Sequence, residues 1–279
     1  MRGVAHVGVM RCLEKTGMLS CVKEMIGISA GSLFCLLWVL GYTIDELERL
    51  AVEFDFRLLR NIEPEAVFSF PETFGLDSGE ALEKLITSIL RQKGFPPTAT
   101  FADLQKRCPV ALRCYATELQ TSRIREFSTS LTPTVEVRLA IRASMSLPFL
   151  YMPVKDPKSE ALLMDGGLLN NLPMVFLKEH HIHETWGVLF QTSQKITSDP
   201  VKDITEFLRY IYDGATLMRS SLFLERYGNR VIQIPTDDFG ALSFEESKET
   251  RMALIELARI TTRKFLYTHQ KPSRRFSCA

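Results

Sequence analysis

Two rhythms of apolar residues run through this chain. One recurs every three to four positions, as a helix with one buried face requires; the other consists of short apolar runs bounded by turn residues, as buried strands require. Ile44, Leu47, Leu50, Ala51 and Phe54 share one helical face behind a Thr43-Ile44-Asp45-Glu46 capping box. Gly79 to Arg91 is amphipathic and stops at Gly94 and Pro96, and Phe101 to Arg107 reads as a short helix. Val22 to Ile26 is a strand leading into a buried helix, Ser32 to Leu40, that stops near Gly41. Val110 to Thr117 and Arg123 to Phe127 form a strand and its hairpin partner. Thr132 as N-cap, with Pro133 at the first helical position, opens a helix through Val135, Leu139 and Ile141 that ends before Pro148.

Ala161 to Met164, Trp186 to Phe190 and Arg230 to Ile234 read as further strands. Leu172 to Lys178 and Val201 to Glu225 read as helices, and Ser243 with Glu246 caps a last helix reaching Thr268. The segment from Glu63 to Phe74 contains Pro64 and Pro71 and is read as a loop or short turns. Its phenylalanines Phe68, Phe70 and Phe74 are read as core ahead of a lipid-facing lip. Strands alternating with helices predict an α/β fold, a central mostly parallel sheet covered on both faces.

Composition narrows the classes. With 279 residues, 46% hydrophobic and 24% charged, the chain can build one sizeable core, so residues 1–270 are expected to form a single domain, with 271–279 a flexible tail. A formal charge of +1, with basic residues dispersed, argues against nucleic-acid binding. Only Lys271 to Arg275 is locally basic, and it reads as a solvated terminus. The six cysteines show no paired metal-ligand spacing and are expected to be free thiols, which suits an intracellular setting. No segment reads as a signal peptide, and the longest apolar run, Leu33 to Tyr42, is about half the ~20 residues needed to span a bilayer. The expected protein is intracellular, and soluble or peripherally attached to a membrane.

The candidate chemistry starts at Gly27-Ile28-Ser29-Ala30-Gly31. A serine between glycines on a strand-to-helix turn is the pattern of a nucleophile elbow, where a Cβ at the flanking positions would clash as the chain reverses. By chance G-x-S-x-G arises about once in ten chains of this length, so a second signal is required. Asp165-Gly166-Gly167 supplies it, directly after a strand. Ligand sites of open α/β sheets lie off the carboxyl ends of strands, and both Ser29 and Asp165 are expected there.

A serine hydroxyl needs a base to take its proton. His180, His181 and His183 follow Asp165 in the order a histidine triad requires, but they precede the Trp186 strand and so fall at the opposite end of a parallel sheet. They read as helix-end surface residues. What is left is a pairing of Ser29 with Asp165.

In these motifs the chain resembles the patatin-like phospholipases, the patatin-like lipid acyl hydrolase family. The resemblance covers most of residues 1 to about 235. It rests on Arg2-Gly3 with Ala5 to Val9, Leu13-Glu14, Gly27 to Gly31, Ala143-Ser144-Met145-Ser146-Leu147-Pro148, and Asp165 to Gly167 with Asn171 and Pro173. It implies a three-layer α/β/α fold, a Ser–Asp dyad with Ser29 as nucleophile and Asp165 as proton acceptor, no metal and no cofactor. The implied activity is hydrolysis of acyl esters in phospholipids or other lipids, with any membrane contact peripheral. It also implies an oxyanion hole made by a G-G-x-R/K-G loop, of which this sequence carries only Arg2 and Gly3; the first strand and leading glycines are expected to be absent. Ala30, opening the Ser29 helix, is the other oxyanion residue. Two further readings stay open: a lipid- or partner-binding protein with this fold but impaired turnover, and an α/β-hydrolase esterase with a histidine in a triad.

Overall fold

The computed structural model describes residues 2–191, 201, 207, 210–211, 221–236 and 246–269. The expected tail at 271–279, Ser243, and most of the helix expected over 201–225 lie outside them. The chain divides into two compact units, Met1–Val22 with Thr43–Phe54 and Met174–Ala279, and Lys23–Tyr42 with Asp55–Pro173.

The second unit is built on a five-stranded mixed sheet: β1 (Glu24–Ile28), β3 (Ala111–Glu118), β4 (Arg123–Ser128), β6 (Val154–Lys155) and β7 (Leu162–Asp165). β1 runs parallel to β3, whereas β4 and β7 run antiparallel to β3 and β6 antiparallel to β7. The sheet expected to be mostly parallel is therefore mixed, because β3–β4 and β6–β7 are joined by connections too short for a crossover. Along one edge β3 pairs with β4 over Arg113 to Glu118. Along the other it pairs first with β1, Ile28 opposite Tyr115, and then with β7, Asp165 opposite Ala116.

Around this sheet are α2 (Ala30–Val39), α4 (Ala66–Thr73), β2 (Gly75–Asp77), α5 (Glu80–Gln92), α6 (Phe101–Arg107), α7 (Val137–Ser144) and β5 (Phe149–Tyr151), which pairs with β2. α2 and α7 lie against β3, whose Cys114, Tyr115 and Ala116 are fully buried with Leu36, Leu37, Ile141 and Leu163. α6 begins at a Thr100–Asp103 capping box.

Three expectations need correction here. Residues 66–73 form a helix, because Pro71 sits late in an eight-residue element and removes a single hydrogen bond. No residue of that helix is buried, so its phenylalanines are not core: Phe68 is 86% and Phe74 52% exposed. α7 opens at Val137 rather than after Thr132, since residues 132–135 close a turn, Val135 N donating to Thr132 O, and the Pro133 and Val135 carbonyls accept from Ala102 N and Phe101 N instead of from a helix.

The first unit contains α1 (Ala5–Lys15), α3 (Ile44–Glu53), α8 (Glu179–Ile182), the parallel pair β8 (Gly187–Gln191) and β9 (Val231–Pro235), and α9 (Lys248–His269). Thr43 and Glu46 close the expected capping box on α3. α1 and α9 cross so closely at Gly8 that a Cβ there would lie 2.0 Å from Ile255 O. Residues 173–176 form a 3-10 turn where a helix over 172–178 was expected, and Ser247 Oγ accepts from Thr250 N at the start of α9. Cys12, Cys35, Cys108 and Cys114 are free and buried, whereas Cys21 is disulfide-bonded, which departs from the expectation of six free thiols. Among the described residues no helix is long and apolar enough to cross a membrane.

Candidate active site

β1 runs two residues further than its apolar lead suggests, to Ile28, and Ser29 makes the turn into α2. Ser29 adopts φ 52° and ψ −134°, a region that costs a residue with a Cβ on the order of 1–3 kcal/mol. The turn is possible because Gly27 has no side chain: a Cβ there would stand 2.5 Å from Ser32 Cα. Ser32 completes the turn, its amide and hydroxyl both donating to Ser29 O, at 2.9 and 2.6 Å.

β1 and β7 share one edge of β3 and run toward each other, so their carboxyl ends meet beside Tyr115 and Ala116. Gly166 fits this gap only as glycine, since a Cβ would lie 2.6 Å from Tyr115 O and 3.2 Å from Ile28 Cγ2. The result is a direct contact. Ser29 Oγ donates to Asp165 Oδ2 at 2.6 Å, a short, charge-assisted distance.

Asp165 is fully buried and Ser29 partly exposed. Asp165 Oδ1 accepts from Gly167 N at 2.7 Å, so the 3-10 turn over Gly166–Leu168 fixes the carboxylate's rotation. The Asp165 backbone is held on both sides, its amide donating to Ser146 O at 2.9 Å and its carbonyl accepting from Thr117 Oγ1 at 3.0 Å. The Ser29 amide donates to Ser144 Oγ at 3.0 Å. Ser144 and Ser146 are completely buried. Their direct bonds to both halves of the pair were not foreseen from sequence, where Ser144 and Ser146 stood out only within the Ala143 to Pro148 motif that carries the family resemblance.

Chemically, a hydroxyl facing a buried carboxylate can lose its proton to it as the oxygen attacks an electrophile. Ala30 and Gly31 open α2, where the first amides of a helix have no intrahelical acceptor and the helix field favours negative charge. Thus Gly27, Ile28, Ser29, Ala30, Gly31, Asp165, Gly166 and Gly167 come together in the second unit.

Arg2 and Gly3 belong to the first unit, in a 3-10 turn ahead of α1, where His6 Nδ1 lies 2.9 Å from Gly3 O. His180, His181 and His183 also lie in that unit, on and just after α8. His183 lines a cleft of about 410 Å³ with Glu179, Arg226 and Tyr227 and packs edge-on against Tyr227. Among the described residues no group of three His, Cys, Asp or Glu side chains is placed to hold a metal ion.

A mixed α/β sheet carrying a serine elbow bonded to an aspartate at a facing strand end is an arrangement that suits the class of serine acyl hydrolases. Residues 1–177 match the family model described as Patatin-like phospholipase, and the chain belongs to that family. An uncharacterised protein of Acanthamoeba polyphaga mimivirus is 29% identical over 243 residues, covering 84% of this chain and 80% of the relative. A "Probable lipid hydrolase" of Invertebrate iridescent virus 6 is 26% identical over 181 residues, 65% of this chain and 61% of that protein. The crystal structure of VipD from Legionella pneumophila superposes with a TM-score of 0.61 over 96% of this chain at 15% identity, which shows a shared fold. This chain spans 65% of the length of VipD.

Proposed function

We propose that this protein hydrolyses carboxylic esters of lipids, with phospholipids and lysophospholipids as the substrate class, through Ser29 as nucleophile and Asp165 as proton acceptor. The observation that carries the reading is the 2.6 Å contact between the Ser29 hydroxyl and the Asp165 carboxylate. Ser29 Oγ attacks the ester carbonyl as its proton passes to Asp165 Oδ2. The tetrahedral intermediate, its oxyanion toward the amides at the start of α2, collapses as Asp165 returns the proton to the departing alcohol. An acyl-enzyme is left. Asp165 then takes a proton from water as the water oxygen attacks the acyl carbon, and gives it to Ser29 Oγ as the bond to the acyl carbon breaks, releasing the fatty acid and restoring Ser29 and Asp165.

The family supplies the lipid, and the iridescent-virus relative, named a probable lipid hydrolase, agrees with that class. Peripheral contact with lipid is supported by the exposed Val67, Phe68 and Phe74 on and beside α4. Membrane attachment and an intracellular setting remain part of this proposal.

A fluorophosphonate probe together with fatty-acid release from phosphatidylcholine vesicles tests the reading. Wild type should be labelled and should release fatty acid, and Ser29→Ala should do neither. A folded wild-type chain that takes up no probe would leave a binding protein as the better description.

A further inference from the structure

We propose that Arg142 is a positioning residue that sets the separation between Ser29 and Asp165 through the Ser144–Ser146 turn; in its link to catalysis the inference rests on the reading above. Arg142 is 1% exposed and is the largest fully buried side chain among the described residues. It forms no ion pair with any of them. Its guanidinium Nη1 donates to Ser146 Oγ at 2.5 Å, and Nη2 donates to Ser78 O at 2.9 Å and Met152 O at 3.1 Å, while Nε has no partner. A buried cation whose hydrogen bonds all go to neutral acceptors is a poor stabilising device, because its desolvation outweighs the attraction of the more distant Glu83 and Asp77 charges and of the Tyr151 ring, 5.2 Å from its Cζ. The chain nonetheless makes room for it. Gly79, at φ +75°, leaves the space in which a Cβ would stand 2.1 Å from Arg142 Nε and Nη2.

The purpose of this arrangement follows from what Ser146 does. Its hydroxyl accepts from the guanidinium and donates to Arg142 O at 2.9 Å, which locks the residue to the end of α7. Its carbonyl accepts the amide of Asp165, and two residues earlier Ser144 Oγ accepts the amide of Ser29. One three-residue turn thus holds the backbones of both members of the pair, and Arg142 anchors that turn to Ser78 and Met152 on two separate segments. A rigid fork with fixed donor directions suits the role, whereas an ammonium on a flexible stem cannot reach the same acceptors together.

Two substitutions test this. Arg142→Lys keeps the charge and loses the fork; Ser146→Ala keeps the arginine and removes its grip on the turn. Crystal structures of both should show the Ser29 Oγ to Asp165 Oδ2 separation opened beyond hydrogen-bond range, and kcat on a soluble ester should fall at least tenfold with KM within about twofold. A purely structural role would lower thermal stability and leave the contact and the kcat of the folded fraction unchanged, and that result in either variant would overturn the proposal. If Arg142→Lys does not fold, Ser146→Ala decides alone. Should wild type hydrolyse no ester, the functional reading fails, and the Ser29–Asp165 separation in the variants still decides the positioning role.

Discussion

Ile28 and Asp165 are the last residues of two strands that run at each other along the same edge of β3, pairing with the adjacent residues Tyr115 and Ala116. β3 is therefore the ruler of the site. It sets β1 parallel and β7 antiparallel, so the residues at their carboxyl ends meet across a gap one glycine wide. Because side chains alternate between faces, sliding β7 by one residue would turn Asp165 away from Ser29.

The first prediction concerns that carboxylate. Asp165→Asn retains the Oδ1 acceptor for Gly167 N and matches the volume, so the fold should survive with its melting temperature within a few degrees. The amide cannot take the serine proton, and turnover should fall by about 10² to 10⁴, the usual worth of a general base. Steady-state hydrolysis of a soluble ester checks this; near-normal turnover would remove Asp165 from the mechanism.

The second concerns space at the elbow. Gly27 has no unusual φ, so its requirement is purely steric: a Cβ would press on Ser32 Cα and the Gly31 carbonyl carbon, backbone atoms of α2 that cannot swing aside. Gly27→Ala should lower stability by about 1–3 kcal/mol, as overpacking does, and slow probe labelling of Ser29. Denaturant unfolding beside a labelling time course would show both effects, and an unchanged midpoint would mean that α2 can shift.

How much of this was legible in the sequence depended on range. The Thr43–Glu46 box, the β3–β4 hairpin and the glycines flanking Ser29 are written within a few residues, and each element stands where local rules put it, within two residues. Pro71 and Thr132-Pro133 misled for the opposite reason. Punctuation residues were weighed without their tertiary setting, in which the Pro133 and Val135 carbonyls are taken by the amides of Ala102 and Phe101 rather than by a helix. Ser29 and Asp165 stand out because turn chemistry marks them, but the head-on meeting of their strands is a matter of register on β3. Likewise nothing local marks Ser144 as the acceptor for an amide 115 residues away.

A third prediction follows from His6, which packs edge-on against Phe190 at 4.7 Å and whose pKa is lowered by burial to about 4, against the opposing effect of its hydrogen bond to Gly3 O. With the folded value below the unfolded 6.5, the unfolded chain binds the proton more readily. Stability from this residue is complete above pH 6.5 and is lost as pH falls toward 4. The shift corresponds to at most about 3.5 kcal/mol, and to less here because the residue is partly accessible. Urea unfolding at pH 7 and pH 4.5 should show a smaller loss in His6→Gln than in wild type, and equal losses would assign the acid sensitivity to other groups.

The last prediction concerns the aromatic segment. Phe68 is 86% exposed, Val67 63% and Phe74 52%, while Phe70 stacks on Phe149, itself 40% exposed. Phe74 and Phe149 both hold positive φ, at 57° and 68°, a conformation uncommon for bulky residues. Two exposed aromatics thus sit in unfavoured backbone conformations without the compensation of burial in water. Inserting one such ring into a lipid surface would recover about 1.5–3 kcal/mol, a change of roughly one to two orders of magnitude in partitioning. Phe68→Ser removes that gain and nothing from the core, so its stability should stay within about 0.5 kcal/mol of wild type. Hydrolysis of a short-chain soluble ester should then be unchanged, while cosedimentation with phosphatidylcholine vesicles and fatty-acid release from them should fall several-fold. Equal losses on both substrates would mean that Phe68 acts on the site itself; no loss on vesicles would mean that this face does not meet lipid.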